Sequence, residues 1–181
     1  MARRYSVRHA FIMALIKSFR GVEPRIHETA FVAENAVVIG DVEIGEQSSV
    51  WYGSILRADV NSIRIGARTN IQDASVIHVT SKTHDTVLED EITLGHRVTI
   101  HGCYVETGSL IGIGAIVLDG ARIGRNSLVA AGSLVTPNTR IPPRSLVMGS
   151  PARVKRELSE EEVKDLARFW QNYVQLSEYY R

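Results

Sequence analysis

Aliphatic residues recur at every sixth position along most of this chain. From Val105 the series runs Val105, Ile111, Val117, Ile123, Val129, Val135, Ile141 and Val147. Four residues after each of the first seven stands a small or hydroxyl residue: Ser109, Ala115, Ala121, Ser127, Ser133, Thr139 and Ser145. The same series opens the chain at Ile26, Val32, Val38, Ile44, Val50 and Leu56, resumes at Ile65, Ile71 and Ile77, and returns at Leu94 and Ile100. An amphipathic helix repeats every 3.6 residues and a half-buried strand every two, so neither produces a period of six. A parallel β-helix does. Each hexad then supplies one short strand and one corner, with the aliphatic stacked in a narrow interior and the small residue turning the corner.

Three hexads make a triangular coil of 18 residues, and the repeats fill about six coils, a stack roughly 30 Å tall. Ordinary crossovers between parallel strands are right-handed. The repeat itself resembles the hexapeptide signature of left-handed β-helix proteins, and the hand is taken from that resemblance. The expected fold is all-β: a left-handed parallel β-helix of hexapeptide repeats with a C-terminal α-helix packed along it. Two gaps mark loops. Leu56 to Ile65 leaves about three residues to bulge near Asp59–Ser62, and Ile77 to Leu94 leaves about eleven for a loop through His84 and Glu89–Glu91. Ile100 and Val105 are one residue closer than the period.

The repeats end at Pro151. Ser159 with Glu162 three residues later forms a capping box. Beyond it Val163, Leu166, Ala167, Trp170, Tyr173 and Val174 fall at helical spacing. A helix of about 22 residues would be roughly 33 Å long, matching the stack. The chain thus divides into an N-terminal extension and first strand (1–20), the β-helix domain (21–152) and the C-terminal helix (153–181).

Composition narrows the function classes. The 181 residues carry 21 basic and 20 acidic side chains with no long run of one sign. That balance argues against a nucleic-acid groove or a membrane surface as partner. Cys103 is the only cysteine, so no disulfide forms within the chain, and a reducing, cytoplasmic setting is expected. Arg3, Arg4 and Arg8 precede an apolar run from Ala10 to Ile16 that is too short to span a bilayer and lacks a small-residue cleavage site. Met13 stands where a shorter chain could begin, so residues 1–12 are read as an extension or a misassigned start.

Three of the six histidines, His78, His96 and His101, lie close in sequence around the larger gap. His78 follows Ile77 and His101 follows Ile100, so both face outward from the coil, and His96 lies one residue later in its hexad. Three outward imidazoles have no core to satisfy them, and neutral imidazole is the preferred nitrogen ligand of zinc. Asp59, Asn70, Gln72 and Asp73 are available as acceptors for the second ring nitrogens. Arg57 and Asp59 read alone are one more surface ion pair.

Arg57-x-Asp59, Asn70-x-Gln72-Asp73-x4-His78 and Gly95-His96-x4-His101-Gly102 together resemble the signature of the gamma-class carbonic anhydrases. The resemblance runs from about residue 17 to the end. It implies hydration of carbon dioxide to bicarbonate by metal-bound hydroxide, with Zn2+, or alternatively Fe2+ or Co2+, in a homotrimer. The metal would lie between subunits, held by His78 and His101 of one and His96 of the next. Arg57, Asp59 and Asp73 would join the network at the interface, and Gln72 and Asn70 would orient the metal-bound water. Ligands five apart, such as His96 and His101, fall awkwardly for one flat strand, and sharing across an interface removes that difficulty.

The chain departs from the family's archetype where glutamates serve proton transfer. Val60 stands in one position and Ser81 in the other, as in a shorter subclass without the acidic loop, some of whose members show little hydration activity. Tyr173 matches an active-site tyrosine of those shorter members. His84, Glu89, Asp90 and Glu91 are further candidates to carry protons. Two other functions compete on the same fold: acyl transfer or thioester hydrolysis, and a non-catalytic metal-bound trimer serving as a scaffold.

Overall fold

The computed structural model describes residues 13–181. The extension through residue 12 lies outside the described residues. The chain winds as a left-handed parallel β-helix with three faces, and every hexad aliphatic points into the shaft. On the first face the strands Phe31–Val32, Ser49–Val50, Asn70–Ile71, Thr93–Leu94, Leu110–Ile111, Leu128–Val129 and Ser145–Gly149 stack in parallel. The second face begins with Leu15–Lys17 and the first halves of the long strands Val37–Ile44 and Ile55–Ile65. It continues through Val76–His78, Thr99–His101, Ile116–Val117 and Leu134–Val135. Arg25–Ile26, the far ends of the two long strands, Thr86–Leu88, Tyr104–Val105, Arg122–Ile123 and Arg140–Ile141 form the third. The stack therefore has seven coils, one more than the repeat count suggested.

The interior explains the period. Val38, Leu56, Ile77, Ile100, Val117 and Val135 form one inward column on the second face, each with 0% exposure. Burying a Val, Leu or Ile is worth about 1.5–3 kcal/mol, and each column repeats that gain coil after coil. The small corner residues contribute more than clearance. Ser109 Oγ donates to Gly124 O at 3.1 Å and Ser127 Oγ to Pro142 O at 3.1 Å, so a buried hydroxyl satisfies a carbonyl of the next coil. A larger apolar side chain would lose that bond as well as collide.

Register partners measure each coil. Val32 pairs with Val50 (18 residues on), Val50 with Ile71 (21), Ile71 with Leu94 (23) and Leu94 with Ile111 (17). After that the step returns to 18, from Ile111 to Val129 and from Val129 to Val147. The three extra residues of the third coil bulge at 59–62, as expected. The next insertion is smaller than the expected eleven. Leu88 is 1% exposed and pairs with Ile65 and Val105, so it is itself an inward hexad residue. Only about five residues loop out, around the Thr80–His84 bridge. Glu89, Asp90 and Glu91 belong to the coil.

At the far end the chain reverses. Ala152–Glu157 pairs antiparallel with Ser145–Gly149, where the sequence division placed the start of the helical segment. The helix is Glu160–Glu178, capped by Ser159 with both bonds of the capping box in place. It lies on the first face against Ser49–Val50 and Asn70–Ile71. Among the described residues no helix is long and apolar enough to cross a membrane.

Candidate metal centre

His78 and His101 are register partners on adjacent strands of the second face. Both immediately follow an inward isoleucine, so the alternation of strand side chains turns both rings outward. His78 Nδ1 and His101 Nε2 stand 3.0 Å apart, with the ring planes crossing at 64°. The outer nitrogens are occupied by carboxylates. His78 Nε2 lies 3.0 Å from Asp59 Oδ1, and His101 Nδ1 lies 2.7 Å from Asp119 Oδ1. Arg57 closes on the other oxygen of Asp59.

An ionised carboxylate only accepts hydrogen bonds, so in each neutral ring the outer nitrogen carries the proton. Burial alone would raise the Asp59 carboxyl, but hydrogen bonds from His78 and Arg57, with the Arg57 charge, outweigh it and hold it below its ordinary value. Asp119 follows the same balance: burial pushes up, and the hydrogen bonds from His101 and Thr80 pull it lower. Both therefore stay ionised at neutral pH. The inner nitrogens then present lone pairs to one another, which is repulsive without a cation between them. Two nitrogens at zinc-bond length in a tetrahedral site lie about 3.3 Å apart, so the pair needs only a small opening to take a metal.

His96 does not join them. It sits on the corner leading into the second face, one coil above Asp73, and its Nδ1 lies 2.8 Å from Asp73 Oδ2. Its side chain is 43% exposed. Among the described residues no three His, Cys, Asp or Glu side chains of one chain are arranged to hold a metal. The second face thus carries a histidine pair along one edge and a single histidine along the other. Each of the three is tied to an aspartate one coil away.

Gln72 and Asn70 lie on the His96 side and are buried. Gln72 Nε2 donates to Asn70 Oδ1 at 3.3 Å, and Asn70 Nδ2 donates to Thr93 Oγ1 at 2.8 Å. Tyr173 packs edge-on against Trp51 at 5.3 Å. Burial pushes its hydroxyl up, and the nearby Asp73 charge adds to that, so Tyr173 keeps its proton at neutral pH. As a protonated hydroxyl it can donate a hydrogen bond.

The acidic candidates for proton transfer are committed elsewhere. Glu89 accepts from Tyr104, and from Thr107 N and Oγ1 at 2.9 Å each. Asp90 Oδ1 caps Ala67 N at 2.8 Å, and Glu91 pairs with Arg68 at 2.9 Å. Val60 and Ser81 are exposed and offer no carboxylate. His84 stays on the metal side, in the loop over Gly102 and Gly120.

Asp119 escaped the sequence reading. Its signal was present, since it stands 18 residues after His101, one regular coil on.

No family model matches the chain. A carbonic anhydrase of Geobacillus kaustophilus is 44% identical over 92% of this chain and 91% of its own length. The mitochondrial gamma carbonic anhydrase 1 of Arabidopsis thaliana is 46% identical over 86% of this chain, which spans 58% of that longer relative. Among solved structures, a Bacillus cereus protein described as a putative acetyltransferase is 42% identical, covers 92% of this chain and 96% of its own, and superposes with a TM-score of 0.90.

Proposed function

Because this chain belongs to the gamma-class carbonic anhydrase family, we propose that it is a metal-dependent carbonic anhydrase that interconverts carbon dioxide and bicarbonate. The observation that carries this reading is the facing pair of lone-pair nitrogens, His78 Nδ1 and His101 Nε2, each ring fixed from behind by an aspartate. His78 and His101 hold the metal from one subunit and His96 completes the set from its neighbour in a homotrimer. Zinc suits three imidazoles, and iron or cobalt fits the same donors. When bound, such a cation supplies Lewis acidity that lowers the pKa of water to about 7. Asp59, Asp119 and Asp73 hold the ring protons on the far nitrogens, so the lone pairs stay aimed inward. Asn70 fixes the Gln72 carboxamide, which orients the incoming water. Arg57 and Asp59 brace the subunit contact.

The second face supports the trimer. Between its two half-sites runs an outward row in register: Leu15, Val37, Ile55, Val76, Thr99, Ile116 and Leu134. Leu15, Ile55, Val76 and Ile116 are 37–54% exposed. In a threefold assembly each left edge meets a neighbour's right edge, which turns this row toward the axis and buries it. The single cysteine, buried and with its thiol pushed up to about 12 by burial, fits a reducing cytoplasm.

Metal analysis with stopped-flow carbon dioxide hydration tests the reading. One metal per subunit with hydration well above buffer supports it, and metal-replete protein without hydration overturns it. A second reading, acyl transfer, is favoured by the likeness to the Bacillus cereus protein and by an apolar groove of about 430 Å³ between Leu166, Phe169 and the first face. Acyl or thioester turnover that survives metal stripping would select it. A trimer that binds metal without turnover would be the scaffold.

A further inference from the structure

Both insertions in the otherwise regular shaft make contact with each other. Asn61, in the bulge of the third coil, donates from Nδ2 to the carbonyl of Thr80 at 3.1 Å. Thr80 opens the loop of the next coil, which its bridge to His84 closes, with Thr80 N to His84 O at 2.8 Å. Two hydroxyls reach the histidine pair, one from this loop and one from the strand Thr86–Leu88 that follows it. Thr80 Oγ1 donates to Asp119 Oδ1 at 3.0 Å, the same oxygen that His101 Nδ1 meets at 2.7 Å. Thr86 Oγ1 donates to the carbonyl of His78 at 2.8 Å.

We infer that the two insertions form one latch, in which Thr80, held by Asn61, is the positioning residue that fixes the Asp119 carboxylate and through it the Nδ1–H tautomer of His101. A half-buried carboxylate with a single donor can rotate about its Cβ–Cγ bond. A second donor on the same oxygen, anchored in a different coil, removes that freedom. Gly102 seals the arrangement from below. At φ +53 it is in the left-handed region, and a Cβ there would collide with Asp119 Oδ1 and lie 2.8 Å from His84 Cβ. Thr80 lies in the five residues by which this coil exceeds the regular 18, so the insertion supplies the hydroxyl. The insertions therefore set the site as well as interrupt the repeat.

This inference rests on the metal-site reading for its consequence, and its test separates the two. The first readout is the tautomer of His101 in metal-free protein, from long-range nitrogen–proton correlations of the imidazole at mildly alkaline pH. The second is affinity for Zn2+ alone, by chelator competition. Wild type is expected to hold the Nδ1–H form. Thr80→Val, which keeps the branched shape and loses the hydroxyl, is expected to mix the tautomers and weaken zinc by about tenfold. Asn61→Ala is expected to move both readouts the same way by less, and to add little on top of Thr80→Val. Thr83→Val, in the same loop but bonded only to His84, is expected to change neither. A wild-type tautomer and affinity in Thr80→Val would overturn the latch, as would independent, additive effects of Asn61→Ala. Wild type that keeps the tautomer yet binds no zinc would sink the carbonic anhydrase reading and leave the latch standing.

Discussion

Coils from Ile111 to Val147 advance by 18 residues each, whereas those from Val50 to Leu94 advance by 21 and 23. Inside the shaft the two regions are alike. Ile77 and Ile100 are as buried as Val117 and Val135, and backbone ladders run through both. Outside they differ. Corner serines bonded to the next coil and surface ion pairs occur in both, at Ser127 and Arg122–Glu106 as at Ser75 and Arg68–Glu91, so the difference lies elsewhere. The irregular coils carry His78, the Thr80 loop and the clamp on Asp119. A repeat makes a surface of equivalent positions, and a site needs positions that are not equivalent. Extra residues in two successive coils supply that difference without disturbing the core, because the chain rejoins the same inward columns after each.

Four tests should separate the regions, the largest effect first. Ile111→Ala, in the regular shaft at 0% exposure, should cost about 2–5 kcal/mol, read as a lower denaturant midpoint. Folded survivors should still bind metal with normal stoichiometry. Gly102→Ala and Gly108→Ala should divide along the same line. Both glycines have positive φ, +53 and +73, and both added methyls would strike a side-chain oxygen, of Asp119 and Asn126 respectively. Each should lose about 1–3 kcal/mol. Only Gly102→Ala should also weaken zinc, measured by chelator titration.

A smaller effect is expected from acid. Burial would raise Glu89, but bonds from Tyr104 and Thr107 and the Arg122 charge hold its carboxyl below the ordinary range. The folded state thus binds this proton less readily than the unfolded chain. Its contribution is present above the ordinary carboxylate pKa and is lost as pH falls through the lower folded value. Glu89→Gln should therefore be destabilising at neutral pH and flatten that part of the acid unfolding curve, with hydration per folded subunit unchanged. Smallest of the four, Ser159→Ala removes the helix cap and should cost about 1 kcal/mol. Circular dichroism should show fraying of the helix, with the metal retained.

The fold was legible because its interior imposes one rule on every coil. Inward aliphatics at a period of six mark that rule, and a local capping box marks the helix start. Leu88 was missed because the five-residue insertion moved it out of step with Ile77, which made one loop of an insertion and a full hexad. The reversal at Ala152–Glu157 was missed since the inward rule ends at Pro151 and the exposed strand Ala152–Glu157 carries no periodic constraint. His78, His96 and His101 were visible by type and outward placement. Asp119 was passed over: outward polar residues obey no repeat, so its place one regular coil after His101 was legible only once the coil length was applied to outward positions. Glu89, Asp90 and Glu91 looked like free acids only while they were assigned to a loop. In the coil each has a partner.

The proposed metal site needs a second copy of the chain to complete the two half-sites of one face. Mixing two inactive variants tests it most directly. His96→Ala keeps the histidine pair, and His101→Ala keeps the single histidine on the opposite edge. Each homotrimer should lack hydration. After both are unfolded together and refolded as mixed trimers, random assembly joins an intact pair to an intact His96 at about a quarter of the interfaces. Hydration restored to roughly that fraction of wild type is the predicted result. Mixed trimers as inactive as their parents, or either variant fully active alone, would contradict a site shared between copies.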